Sequence, residues 1–225
     1  MNVLEHLEPK SVFRFFEEMC AIPHGSRNTK AVSDWCADFA RARGLEYHQD
    51  GDNNIIIIKE AAPGYEAAPP VILQGHLDMV CEQTADCQKD MSREGLDLAV
   101  DGDFVYAKGT TLGGDDGIAV AMALALLDAE GLPHPRLEAV FTVDEEIGLL
   151  GAASIDVTPL KGRQMLNLDS EAEGIFTVSC AGGNTSACLL PLTRAPFDGA
   201  GVTVAVGGLT GGHSGAEIHK GRANA

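Results

Sequence analysis

Apolar residues recur at helical spacing in two segments near the start of the chain, residues 9–22 and 29–43. This periodicity predicts two amphipathic helices, the second of which ends at Gly44. Residues 114–130 are apolar on all sides of a helical projection. This pattern predicts a third helix, buried throughout, that ends at Gly131.

Short continuous apolar runs predict the strands. Two strands flank a turn within residues 45–59, and further strands are predicted at residues 71–74, 104–107, 139–143 and 165–168. Apolar strands that alternate with helices are typical of a sheet covered on both faces. The sequence therefore predicts an α/β fold with a mixed, mostly parallel sheet sandwiched by helices.

The pattern changes after about residue 179. Residues 182–192 and 201–206 are β-like, and residues 207–215 are rich in glycine. We therefore predict two domains. Residues 1–180 belong to a first domain, and residues 181–225 begin a second, smaller α/β domain.

Charge and composition exclude several classes of partner and location. The formal net charge of −17 argues against nucleic acid and anionic membranes as partners. No apolar run approaches the roughly 20 residues of a membrane helix, and the N-terminus lacks the features of a signal peptide. The six cysteines include no Cys-x-x-Cys pair, which indicates reduced thiols rather than a zinc–thiolate site. These features predict a cytoplasmic protein.

Imidazole and carboxylate side chains follow three predicted strands and open the buried helix. They are His76, Asp78, Asp115, Glu145, Glu146 and Asp169. Because ligands bind beyond the carboxyl ends of strands in open α/β sheets, these side chains should gather at one edge. So many acids cannot share a partly buried site without a compensating cation. The sequence therefore predicts a metal site.

The donor types narrow the choice of metal. Imidazole and carboxylate without thiolate suit zinc, manganese or cobalt better than calcium. One bridging carboxylate would make a two-metal hydrolytic site. Taken singly, each motif has a simpler interpretation as a surface histidine, a helix cap or a solvated turn. Only their combination, each after an apolar strand or at the start of a buried helix, indicates a metal centre.

Two other kinds of site are disfavoured by the sequence. Residues 109–117 are rich in glycine but lack the Lys-Ser/Thr of a phosphate-binding loop and carry acids where phosphate would lie. There is no Gly-x-Ser-x-Gly motif, which weakens the interpretation as a serine hydrolase.

Five motifs resemble those of the M20 metallopeptidases, and within them the branch of aminoacyl-histidine dipeptidases. They are His-Leu-Asp-Met-Val at 76–80, Thr-Leu-Gly-Gly-Asp-Asp-Gly at 111–117, the stretch around Asp-Glu-Glu at 142–152, Leu-Asn-Leu-Asp-Ser-Glu at 166–171 and Gly-Gly-His-Ser-Gly at 211–215. They occur in the expected order over nearly the whole chain. The resemblance implies a zinc-peptidase-like catalytic domain followed by the start of an inserted lid or dimerisation domain.

The resemblance also implies metal ligands. His76 and Asp169 would hold one metal ion, Asp115 would bridge to a second, and Glu146 would bind the second. Two divalent ions are implied, zinc first, with manganese or cobalt as alternatives. A last histidine ligand is expected beyond Ala225, so we expect a longer complete protein and an inactive isolated fragment.

Further roles follow from the same resemblance. Asp78 would orient His76, and Glu145 would be the general base. His213 would contact the substrate and help polarise the scissile carbonyl. Asp116 fits no strict ligand position in the family and is interpreted as a helix cap.

The implied reaction is hydrolysis of a small peptide substrate, specifically an Xaa-His dipeptide. Other activities of the family stay open, namely tripeptidase, carboxypeptidase and N-acyl amino acid deacylase, because the metal motifs do not set specificity. A non-catalytic homologue and an acidic protein without metal are further alternatives. The family also implies a homodimer formed through the second domain.

Overall fold

A computed structural model describes residues 3–170, 174–179, 186–210 and 218–221. The chain divides into two units, Met1–Glu171 and Ala172–Ala225. In the second unit, the described residues contain one regular element, a 3-10 turn at Ile218–Lys220. The sequence pattern of residues 182–192 and 201–206 is β-like, but the described residues 186–192 and 201–206 form no strand.

Four α-helices lie in the first unit: α1 (Lys10–Cys20), α2 (Lys30–Ala42), α3 (Gly114–Asp128) and α4 (Leu150–Ser154). The first three confirm the helices expected from apolar periodicity. Helix α4 was not predicted, because five residues are too few to reveal a helical period. Helix α3 ends before Gly131, since Ala129 already has an extended backbone. No helix among the described residues is long and apolar enough to cross a membrane.

Seven strands accompany these helices. They are β1 (Glu46–Gln49), β2 (Ile55–Lys59), β3 (Val71–His76), β4 (Leu98–Asp101), β5 (Phe104–Ala107), β6 (Leu137–Thr142) and β7 (Gln164–Asn167). Five of them form a sheet in the order β1-β2-β6-β3-β7, while β4 and β5 pair separately. The three strands that precede candidate site residues are parallel, because β3 pairs in parallel with both β6 and β7. The predicted α/β fold with a mixed sheet is confirmed.

The register of the parallel strands brings their carboxyl ends together. His76 at the end of β3 lies opposite Thr142 at the end of β6. Gln74 lies opposite Asn167 at the end of β7. The chain therefore leaves all three strands at one edge of the sheet, where the polar motifs begin.

The two faces of the sheet are covered unequally. The main core lies between one face and α1, α2 and α3; it includes Phe15, Val32, Ile57, Leu124 and Phe141. A small cluster on the other face joins Ile56, Ile58 and Val140 to Ile155 and Leu160, which follow α4. The prediction that α3 is buried on every side is wrong, because Met122 and Leu126 are 42% and 37% exposed.

A buried ion pair lies at the start of β6. Arg136 donates through Nε to Glu138 at 2.7 Å, and the Glu138 side chain is fully buried. The backbone N–H groups of Lys161 and Gly162 also donate to the Glu138 carboxylate, at 2.9 to 3.1 Å. Burial alone would raise the pKa of Glu138, but these hydrogen bonds lower it. The carboxylate therefore stays ionised inside the fold.

We expect Glu138→Gln to destabilise the full-length protein by about 3 kcal/mol at neutral pH, because an amide N–H would face donors and Arg136 would lose a buried partner. A carboxylate whose pKa is lowered on folding contributes stability above its unfolded pKa of about 4.3. That contribution is lost as the pH falls through the folded pKa. The difference between the two proteins should therefore shrink below about pH 4.

Urea unfolding at neutral and acid pH measures both effects. Glu18→Gln is the matched control, because Glu18 is exposed on α1, and it should change stability by no more than about 0.5 kcal/mol. Equal stability of Glu138→Gln and the unaltered protein at neutral pH would contradict the prediction.

Candidate metal centre

Three potential ligands converge from different elements at the carboxyl edge of the sheet. His76 is the last residue of β3 and is 1% exposed. Asp115 lies at the start of α3, and Glu146 follows the end of β6. One ligand atom from each of these three side chains lies within 4.8 Å of the others. The predicted gathering of these residues at one site is therefore present.

The imidazole of His76 has a defined orientation. Its Nδ1 lies 2.9 Å from the backbone oxygen of Asp78 and 3.4 Å from an oxygen of the Asp78 carboxylate. Nδ1–H donates to Asp78, and Nε2 lies on the other side of the ring, 3.0 Å from Asp115 Oδ1, where a bound metal ion would replace the Nε2 proton. This is the arrangement in which an acceptor behind a histidine fixes the tautomer and strengthens the metal-binding nitrogen.

Asp78 also organises the turn that carries the two glutamates. Its Oδ1 accepts a hydrogen bond from the backbone N–H of Glu145 at 3.0 Å, and its Oδ2 accepts one from Glu146 at 3.3 Å. Burial would raise the pKa of Asp78, but hydrogen bonds from His76 and this turn lower it. Asp78 is therefore an ionised, buried acceptor that joins the end of β3 to the turn after β6.

Negative charge accumulates around the imidazole. Burial raises the pKa values of Glu145 and Glu146, and neighbouring carboxylates raise them further. The charge of Asp169, which follows β7, contributes to the raised pKa of Glu145. Burial would lower the pKa of His76, yet the surrounding acids raise it to about 10. Several carboxylates therefore surround a single positive group, the imidazolium of His76.

The interpretation of Asp116 as a helix cap is wrong. Asp116 is 2% exposed, and its Oδ2 accepts a hydrogen bond from the backbone N–H of His76 at 3.2 Å instead of binding the first turn of α3. Burial raises its pKa to about 7, with a further contribution from Asp169. The backbone of Asp115 and Asp116 is not helical, and the peptide bond between them is cis. Asp116 therefore faces the sheet edge beneath the cluster.

The donor set fits a divalent metal ion. Carboxylates with raised pKa values surround a single imidazole nitrogen, and a cation at their centre would relieve the repulsion between them. Imidazole nitrogen and carboxylate oxygen are ligands for zinc, manganese and cobalt. Glu145 is not one of the three converging ligands, although its Oε2 lies 3.9 Å from Nε2 of His76.

The contacts described above do not test every predicted site residue. His213 lies outside the described residues. The assignment of Asp169 as a ligand and the division of the acids between two metals stay predictions. Asn54, which no sequence motif singled out, is 1% exposed and accepts a hydrogen bond from the backbone N–H of Val143, two residues before Glu145, at 3.1 Å. Its only signal was a polar residue directly before the buried strand β2.

Parallel strands ending in a cluster of imidazole and carboxylate ligands define an α/β protein with a candidate metal centre. The chain matches the model of peptidase family M20/M25/M40 over residues 72–186, and it belongs to this family. It is 38% identical over its whole length to the cytosol non-specific dipeptidase of Escherichia coli, of which it covers 47%. It is 32% identical to the uncharacterized protein YqjE of Bacillus subtilis, over 71% of this chain and 44% of that protein.

Solved structures show the same fold. The aminoacylhistidine dipeptidase of Vibrio alginolyticus superposes with a TM-score of 0.74 at 38% identity, over 76% of this chain and 35% of that one. A tripeptidase from Staphylococcus aureus shares the fold, with a TM-score of 0.59 at 22% identity over 72% of this chain and 44% of its own. The chain spans about half the length of the curated relatives it matches.

Gly75, which precedes His76, lies directly against the cluster. A Cβ atom at this position would lie 2.7 Å from Oδ2 of Asp116 and 3.2 Å from the Cβ of Ala119. We expect Gly75→Ala to displace Asp116 and with it the backbone of His76. Zinc affinity, measured by competition with a chromophoric chelator, should fall about tenfold or more.

Gly51→Ala is the matched control. A Cβ at Gly51, in the turn between β1 and β2, meets nothing within 4 Å. This variant should keep the zinc affinity of the unaltered protein. If both variants bound zinc equally well, the contact between Gly75 and Asp116 would have no bearing on the metal centre.

Proposed function

We propose that this chain provides the N-terminal part of the catalytic domain of a metal-dependent dipeptidase. The observation that carries the proposal is the convergence of His76, Asp115 and Glu146, with Glu145 beside them but outside the ligand set. Membership of the M20/M25/M40 peptidase family and the similarity to two dipeptidases support the reaction class. The activity belongs to the complete protein.

The proposed centre holds two divalent ions, with zinc as the first candidate and manganese or cobalt as alternatives. His76, Asp115, Glu146 and Asp169 are the residues of this chain that would hold them. When bound, such ions activate water as a nucleophile and stabilise negative charge on the carbonyl oxygen of the peptide bond. Asp78 keeps His76 in the tautomer that presents Nε2 to the centre.

Glu145 is the proposed general base. Its raised pKa suits a group that takes a proton from the attacking water and passes it to the leaving amine. The hydrogen bond from its backbone N–H to Asp78 fixes the base of this side chain relative to His76. The carboxylate is then free to move a proton rather than to hold a metal ion.

The proposed substrate is a dipeptide, with Xaa-His peptides as the first class to test. The relative from Vibrio alginolyticus is an aminoacylhistidine dipeptidase, whereas the one from Escherichia coli is called non-specific. Both names support a dipeptide substrate, but they differ on how many kinds of dipeptide are cleaved.

We further propose a role for the second unit and a location. His213 contacts the substrate, and the second unit belongs to a lid that forms a homodimer. The protein is proposed to be cytoplasmic.

The different roles proposed for Glu145 and Glu146 can be tested by replacing each residue with alanine in turn. Glu145→Ala should lower kcat by at least about a hundredfold while the protein keeps its metal, because the general base is lost. Glu146→Ala should release metal, because a ligand is lost. Dipeptide hydrolysis and metal analysis of both full-length variants measure these effects.

Activity and metal content together distinguish the general base from the metal ligand, because each variant serves as the control for the other. Loss of metal from Glu145→Ala together with its retention by Glu146→Ala would mean that the two roles are reversed. Full activity in both variants would exclude this turn from the reaction.

Removal of the metal should abolish hydrolysis reversibly. The full-length protein, treated with a chelator, should cleave β-Ala-His and other dipeptides only after zinc, manganese or cobalt is returned, since water activation depends on the ion. A panel of Xaa-His dipeptides, other dipeptides, tripeptides and N-acyl amino acids determines specificity. Activity unaffected by chelation, or confined to N-acyl substrates, would contradict the proposed function.

A further inference from the structure

The loop between α1 and α2, residues 21–29, lies against the segment that follows β3. Gly25 forms a parallel β-bridge with Met79, and the backbone N–H of Met79 donates to the carbonyl oxygen of His24 at 3.2 Å. The packing is close at this point, because a Cβ on Gly25 would lie 2.5 Å from Sγ of Cys81. The loop is therefore held in one place relative to the end of β3.

One side chain of this loop contacts the buried centre of the site. The hydroxyl of Ser26 donates to Oδ2 of Asp78 at 2.8 Å. The same carboxylate accepts the backbone N–H groups of Glu145 and Glu146 and lies against Nδ1 of His76. Ser26 is thus linked, through the Asp78 carboxylate, to each group that Asp78 contacts.

A second hydrogen bond ties the loop to the turn after β6. The backbone N–H of Arg27 donates to Oδ1 of Asp144 at 2.6 Å. Both residues have positive φ angles, 66° for Arg27 and 55° for Asp144, a conformation that few residues other than glycine adopt without support. The loop therefore contacts the end of β3 through Ser26 and the end of β6 through Arg27.

We infer that Ser26 is a positioning residue of the metal centre. Its hydroxyl fixes the rotation of the Asp78 carboxylate, and through it the orientation of His76 and the placement of Glu145 and Glu146. This inference rests on the proposed function for its kinetic consequence, but its effect on metal affinity is independent of the substrate.

The hydrogen bonds to Oδ2 of Asp78 explain why the Ser26 hydroxyl matters. Asp78 is 1% exposed, and the donors to this oxygen are the Ser26 hydroxyl at 2.8 Å and the Glu146 N–H at 3.3 Å. Removing the hydroxyl leaves a buried charged oxygen with the longer bond alone. The carboxylate would then rotate to recover a donor, because a buried charge without hydrogen bonds is costly. Rotation would disturb its contacts with His76 and Glu145 together.

The test is Ser26→Ala in the full-length protein, with Ser26→Thr as the variant that keeps the hydroxyl. We expect Ser26→Ala to lower kcat and zinc affinity about tenfold each, with KM changed by less than about twofold, as for other groups behind metal ligands. Ser26→Thr should restore both quantities to within about threefold of the unaltered protein. Zinc affinity is measured by competition with a chromophoric chelator, and the melting temperature is recorded for every variant.

Thr158→Val is the matched control, because it also removes a hydroxyl that donates to an aspartate. Thr158 Oγ1 donates to Oδ2 of Asp156 at 2.9 Å on an exposed part of the surface. This variant should leave kcat and zinc affinity unchanged. A loss of equal size in Thr158→Val would mean that the effect of Ser26→Ala is not specific to the site.

Two results would overturn the inference. In the first, Ser26→Ala keeps both kcat and zinc affinity within twofold of the unaltered protein. In the second, Ser26→Thr is as impaired as Ser26→Ala although both variants melt at the temperature of the unaltered protein. If the unaltered protein binds zinc but cleaves no dipeptide, the proposed function fails, and the zinc affinities of the two variants alone determine whether Ser26 positions the centre.

Discussion

The buried carboxylate of Asp78 is the interaction on which the arrangement of the site depends. It lies at the ends of two parallel strands and accepts hydrogen bonds from the turn that carries Glu145 and Glu146. It also lies against the nitrogen of His76 that faces away from the other acids. A single ionised group therefore sets the relative positions of an imidazole from β3 and two carboxylates that follow β6. The hydrogen bonds it accepts keep it ionised despite its burial.

Two clusters of buried and partly buried charge lie in the described part of the chain, one at each end of β6. At one end of β6, the Glu138 carboxylate accepts hydrogen bonds from Arg136, which also pairs with Glu60, and from two backbone N–H groups. At the other end of the strand, Glu145 and Glu146 have raised pKa values and share one imidazole with their neighbours. The hydrogen-bonded pair of Arg136 and Glu138 stabilises the fold. The second cluster leaves a deficit of positive charge that a divalent ion supplies in the proposed function.

Strand register explains how distant residues reach this cluster. His76 and Glu146 are separated by 70 positions, yet β3 and β6 are parallel neighbours that end side by side. The start of α3 adds Asp115, and the segment after β7 adds the charge of Asp169. The pairing of the strands thus fixes where each of these segments begins, and Asp78, which accepts a hydrogen bond from Ser26, holds the imidazole of His76. Precision at such a site depends on this second layer of support.

Sequence patterns predicted the three long helices, the strands of the main sheet and the gathering of His76, Asp115 and Glu146 at one edge of it. These predictions were possible because apolar periodicity reflects burial, and because polar residues that follow several parallel strands meet at one edge of the sheet. The sequence patterns did not reveal α4, the exposed stripe of Met122 and Leu126, or the role of Asp116, which looked like a cap. Only the tertiary structure related Ser26 and Asn54 to the site, because their partners lie far away in the sequence. Local patterns encode what is buried, whereas contacts between distant residues depend on how the strands are ordered.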